Sequence, residues 1–115
     1  MPIHLKRAYD DPEDSDGYRV LVDRIWPRGV SKEQLQLHRW MKEVAPSGEL
    51  RNWFDHDPEK FEQFKERYYQ ELDADGEPVR QLAEMAREQN LTLVYGAKDT
   101  EHNQAVVLKE YLEKL

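Results

Sequence analysis

Two short stretches gather the residues best suited to hold an anion. In "VDRIWPRGVSK", residues 22–32, Asp23, Arg24, Arg28 and Lys32 surround Trp26, Pro27 and Gly29. In "YGAKDTEHNQ", residues 95–104, Gly96, Lys98, Asp99 and Asn103 follow an apolar run. Arg24, Arg28 and Lys98 carry the charge that neutralises a phosphate, sulfate or carboxylate, and a guanidinium adds a planar two-point fork. Gly29 and Gly96 let backbone approach a ligand closely. A helix starting between Thr100 and Asn103 aims free N–H groups at the same place. Asp23 and Asp99 either orient the cations or act as acid and base. Trp26 is the aromatic wall nearest the expected mouth. The competing reading is structural: Asp and Arg pair with each other, "PRG" is a turn, and Ser31 is only a helix cap.

For these stretches to meet, each must leave the carboxyl end of a strand in a shared sheet, and the strands must be parallel neighbours. The pattern supplies such strands. "YRVLVDRIW", residues 18–26, holds the run Val20, Leu21 and Val22, as a strand covered on both faces does. Pro27 cannot donate to a ladder, so that strand is expected to end by Trp26. "LTLVYG", residues 91–96, is a second buried strand, and "IHLKRAY", residues 3–9, alternates as a half-buried one. Only a loop joins the first two strands, so they pair either parallel or antiparallel.

Helical patterns fill the remainder. Ser31 with Gln34 forms a capping box, and Val30, Leu37 and Met41 share one helical face, with Trp40 at its border. A short helix is expected over residues 47–54. Asp57 and Pro58 open a long helix with the stripe Phe61, Phe64, Tyr68 and Leu72. Val79, Leu82, Ala83 and Ala86 mark another, ending near Asn90, and Ala105, Leu108, Leu112 and Leu115 mark the last. The expected fold is α/β: one three-layer, Rossmann-like domain over residues 1–115 with a small, mostly parallel sheet.

Composition narrows the chemistry. Of the net charge of −7, five acids sit in "DDPEDSD", residues 10–16, which reads as an exposed loop. Without them the balance is −2, so there is no basic face and nucleic acid is not the expected partner. The 115 residues contain no cysteine, which excludes disulfides, thiolate nucleophiles and zinc–cysteine sites. No apolar run approaches the roughly 20 residues of a membrane span. "MPIHLKRAYDD" lacks a signal-peptide core, so a cytoplasmic protein is expected. Asp55, His56 and Asp57 are adjacent, a spacing that does not aim at one ion. Neither a metal nor a cofactor is expected. Trp40 and Trp53 are expected in the core. Arg51 either reaches the cleft or pairs with an acidic neighbour. His102, beside Lys98, has the right chemistry for a base near neutrality.

"RVLVDRIWPRGVSK", "APSGELRNWFDHDPEKFEQFKERYYQEL" and "LTLVYGAKDTEHNQAVVL" together resemble the domain of unknown function 488 family, in its YeaO-like branch. The likeness runs over nearly the whole chain. It implies a compact α/β domain, bacterial or archaeal and intracellular, with no established reaction. Other branches of that family carry a cysteine in the last-strand loop, in a block like "LLCAE" followed by "CHR". Here the similar blocks read "VYGAKD" and "EHNQ", and Gly96 stands where the cysteine would be. The functional expectation is therefore the binding of a small anionic molecule, with non-thiol hydrolysis or group transfer as an option. The alternative is a non-catalytic ligand-sensing or protein-interaction module.

Overall fold

A computed structural model describes residues 3–115. Its central strand is the most apolar segment. Strand β4 (Leu91–Tyr95) is buried at every position. Strands β1 (Ile3–Arg7) and β2 (Tyr18–Leu21) flank it, both parallel to it, and β3 (Arg39–Trp40) adds in parallel to β2. The order is β1-β4-β2-β3. The sheet is thus parallel throughout. An antiparallel first pair is ruled out because β4 takes the place between β1 and β2.

Alternation along the strands builds two unequal layers. Val20 lies beside Leu93, and Leu21 beside Val94. Val20, Leu93 and Tyr95 join the larger core with Phe64, Tyr68, Leu82 and Leu108. These partners come from α3 (Phe61–Asp75), α4 (Glu77–Glu88) and α5 (Gln104–Glu113), and α2 (Gly48–Phe54) adds Leu50 and Phe54. On the opposite face, Leu21 and Val94 meet Leu35, with Trp26, Val30, Leu37 and Trp40 around them. Among the described residues the helix there is α1 (Lys32–Leu35), a single turn.

The expected long helix after Ser31 is therefore corrected. The capping box forms, with the Gln34 N–H donating to Ser31 Oγ at 3.1 Å and the Ser31 N–H to Gln34 Oε1 at 2.9 Å. The helix then stops at Gln36, which is left-handed at φ 48°, and the chain turns to lay Arg39 and Trp40 along β2. Leu37 and Met41 go to different cores instead of sharing a helical stripe. β2 ends at Leu21, earlier than expected, although the Val22 N–H still reaches the Val94 carbonyl at 3.0 Å. No helix among the described residues is long and apolar enough to cross a membrane.

The acidic loop is not simply solvated. Asp16 is 7% exposed and Arg19 3%. Arg19 Nη1 donates to Asp16 Oδ2 at 2.6 Å, and Lys6 Nζ reaches Asp16 and Glu13. Arg19 also donates twice to the Leu35 carbonyl, and Thr92 Oγ1 to the Asp16 carbonyl at 2.6 Å. Burial alone would raise the Asp16 carboxyl. The Glu13 amide, Lys6 and Arg19 outweigh it and hold it below its usual 3.8. The stability this supplies is present above pH 3.8 and lost as pH falls through the depressed folded value. Asp16→Ala strands the buried Arg19 charge and is expected to cost roughly 3–5 kcal/mol. A urea midpoint that barely moves contradicts this.

Candidate functional site

Parallel strands deliver their carboxyl ends to one side of a sheet. There the segments following β2 and β4 enclose a cleft of about 260 Å³. Asp23, Arg24, Trp26 and Arg28 line it from the first segment and Gly96 from the second. Arg51 and His56 approach from α2 and the turn after it, Gln104 from the start of α5, and Tyr9 from just beyond β1. Phe54 and Phe64, both buried, form apolar lining.

Asp23 occupies the junction. Its Oδ2 accepts the Gly96 N–H at 2.8 Å, and its Oδ1 accepts the Gln104 side-chain amide. Its carbonyl accepts Trp40 Nε1 at 2.7 Å. Burial pushes the Asp23 carboxyl up to about 6, even though the Gly96 amide, Arg51, Gln104 and His56 all favour the charged form. A Cβ at Gly96 would stand 3.0 Å from Asp23 Oδ2, so glycine permits this approach. Trp26 donates through Nε1 to the Val30 carbonyl at 2.6 Å, and its ring meets Trp40 edge-on at 5.3 Å. Two half-buried tryptophans thus brace the wall.

The cations divide by environment. Arg24 Nε donates to the Pro46 carbonyl at 3.0 Å, and its side chain is shared with a neighbouring recess holding Glu43, Glu71 and Asp75. Arg28 is exposed at the rim, where its carbonyl accepts the Tyr9 hydroxyl at 3.0 Å. Arg51 is exposed on α2. Among the described residues none of Arg24, Arg28 and Arg51 makes an ion pair.

Four expected site residues lie elsewhere. Lys98 is exposed and outside the cleft lining, so Arg24, Arg28 and Lys98 do not converge. The loop after Gly96 serves α5 instead. Asp99 accepts the N–H groups of Glu101 and His102, each at 2.9 Å, and these amides hold its carboxyl below the usual range. Asn103 is the buried cap, accepting the Val106 N–H at 3.0 Å and donating to the Asp99 carbonyl at 2.8 Å. Gly29, at φ 79°, shapes the turn without lining the cleft. His102 is also drawn away: Nδ1 lies 3.0 Å from Asp99, and its ring stands edge-on to Phe61. Arg51 lies on the cleft side of the two options open to it. Sequence reasoning missed His56, Gln104 and Tyr9 as lining residues. Their meeting depends on strand order, which no local pattern encodes.

The raised carboxyl has a measurable sign. Below pH 3.8 Asp23 is neutral folded and unfolded. Between 3.8 and about 6 the unfolded chain ionises first, so stability falls as pH rises and then levels off. At about 1.4 kcal/mol per pH unit, the full penalty is about 3 kcal/mol. Asp23→Asn keeps both hydrogen bonds if Gln104 turns its amide. It is expected to raise the melting temperature at neutral pH, with the gain vanishing below pH 3.8. A gain independent of pH contradicts the assignment.

Comparison with known proteins places the sequence in a family. The family described as "Inactive DUF488-N3 subclade" matches residues 2–115. The "Uncharacterized protein YeaO" of Escherichia coli (strain K12) is 47% identical over 115 residues, covering 100% of both chains. The "Uncharacterized protein Rv3073c" of Mycobacterium tuberculosis (strain ATCC 25618 / H37Rv) is 39% identical over 110 residues, covering 96% of this chain and 92% of that protein. No solved structure matches significantly. The chain therefore belongs to the DUF488 family, in the N3 subclade described as inactive.

Proposed function

We propose that this protein binds a small anionic ligand in the cleft beyond β2 and β4, and holds it without turnover. The observation carrying this reading is the charge lining one small space. Arg28 and Arg51 have no ion-pair partner among the described residues, His56 shares their cleft, and Arg24 stands at its border. The single carboxylate in the lining, Asp23, is already tied to Gly96 and Gln104. Phe54, Phe64 and Trp26 add apolar surface of the kind that excludes water around a bound group.

Binding rather than catalysis is favoured by three points. The subclade's description calls its members inactive. Among the described residues the lining contains no serine, threonine or cysteine nucleophile. Asp99, the second candidate acid or base, is committed to the start of α5.

Thermal stability measured against rising inorganic phosphate tests the reading. A ligand at 100 times its Kd stabilises the folded state by about 2.7 kcal/mol. Arg28→Ala with Arg51→Ala is expected to abolish that gain. Because both side chains are exposed, the ligand-free stability should fall by no more than about 1 kcal/mol, the part Arg51 contributes by favouring the Asp23 carboxylate. If the ligand-free protein is destabilised and any anion-dependent gain survives, the arginines are braces and the proposal fails.

A further inference from the structure

We infer that Asp23 makes the cleft selective for an anion that carries its own proton, a hydrogen phosphate group, over a fully ionised anion of the same shape. The inference rests on the anion-binding reading above and adds what that reading leaves open. Arginine alone does not separate phosphate from sulfate, since both are tetrahedral oxyanions that accept its fork. An acceptor in the same space does.

An ionised carboxylate only accepts hydrogen bonds. A bare sulfate oxygen placed against it meets repulsion with no bond to offset it. A P–OH in the same place donates a charge-assisted bond. Sites that hydrogen-bond a ligand's hydroxyl reject analogues lacking it far more strongly than apolar pockets reject a size change. Discrimination of this kind needs a repulsive element as well as an attractive one.

Asp23 is placed for that part. It lines the same cleft as Arg28 and Arg51. The Gly96 N–H and the Gln104 amide each use one position on its two oxygens, and each oxygen keeps a second. The same two bonds hold the carboxyl in place against a repelled ligand. Strand tying alone does not require a carboxylate, since asparagine could make both bonds without ionising in a buried position. The charge is retained despite its cost. As the carboxyl titrates near pH 6, it becomes a donor itself, and the bar to sulfate lifts at acid pH.

Isothermal titration with inorganic phosphate and with sodium sulfate, at matched ionic strength, tests this. Hydrogen phosphate keeps at least one proton from neutral pH to about pH 5, whereas sulfate keeps none. At neutral pH the protein is expected to bind phosphate at least about tenfold more tightly than sulfate. Asp23→Asn should bring the ratio near one, chiefly by gaining sulfate, and the unsubstituted protein should gain sulfate affinity at about pH 5. Equal binding of both ions at neutral pH, lost in Arg28→Ala with Arg51→Ala, overturns the selectivity while leaving the anion site standing. Selectivity unchanged in a folded Asp23→Asn variant also overturns it. If that variant does not fold, the pH series on the unsubstituted protein decides: constant sulfate affinity refutes the inference. Binding of neither ion sinks the anion site and the selectivity together.

Discussion

One carboxyl group ties the working end of the molecule together. Asp23 follows β2, yet its two oxygens are held by the backbone just beyond β4 and by a side chain at the start of α5. Asp23 is thereby fixed within a hydrogen bond of two positions 73 and 81 residues further along the chain. The wall carrying Trp26 and Arg28 departs from this point, and Trp40 locks the Asp23 carbonyl behind it. The tie depends on having no side chain at position 96 and on β4 lying next to β2. It also sets a half-buried carboxyl, raised to about 6, where a neutral group would be more stable at neutral pH.

The amino ends of the strands show the opposite design. There Lys6 and Arg19 are matched by Glu13 and Asp16 in one network, and Thr92 bonds the Asp16 carbonyl. Gly17 is pressed so closely on Asn90 that an added Cβ would lie 2.5 Å from its carbonyl oxygen. That end is filled and paired. The carboxyl end instead has arginines that make no ion pair among the described residues, set around an open space. The contrast separates scaffold from site more clearly than charge counts do.

Much of the scaffold was readable from the chain. The run Leu91–Tyr95 and the stripe Phe61, Phe64, Tyr68 and Leu72 are dictated by burial, and both appear where the pattern puts them. β3 was not readable, because two residues recruited by the edge of β2 leave no period of their own. The site was half readable. Asp23, Arg24, Trp26, Arg28 and Gly96 gather at the cleft because a strand end commits the residues beside it. Lys98, Asp99 and Asn103 looked equivalent, but Asn103 caps α5 and Asp99 ties the loop ahead of it, through Glu101 and His102. Gln104 enters from a helix whose position follows from sheet order, a tertiary fact.

The thin layer over Leu21 and Val94 is made largely by the same stretch that walls the cleft. Trp26 covers the sheet together with Val30 and also lines the opening. Shelter for the sheet and shape of the opening are thus not separately adjustable. The segment is roof and doorway at once.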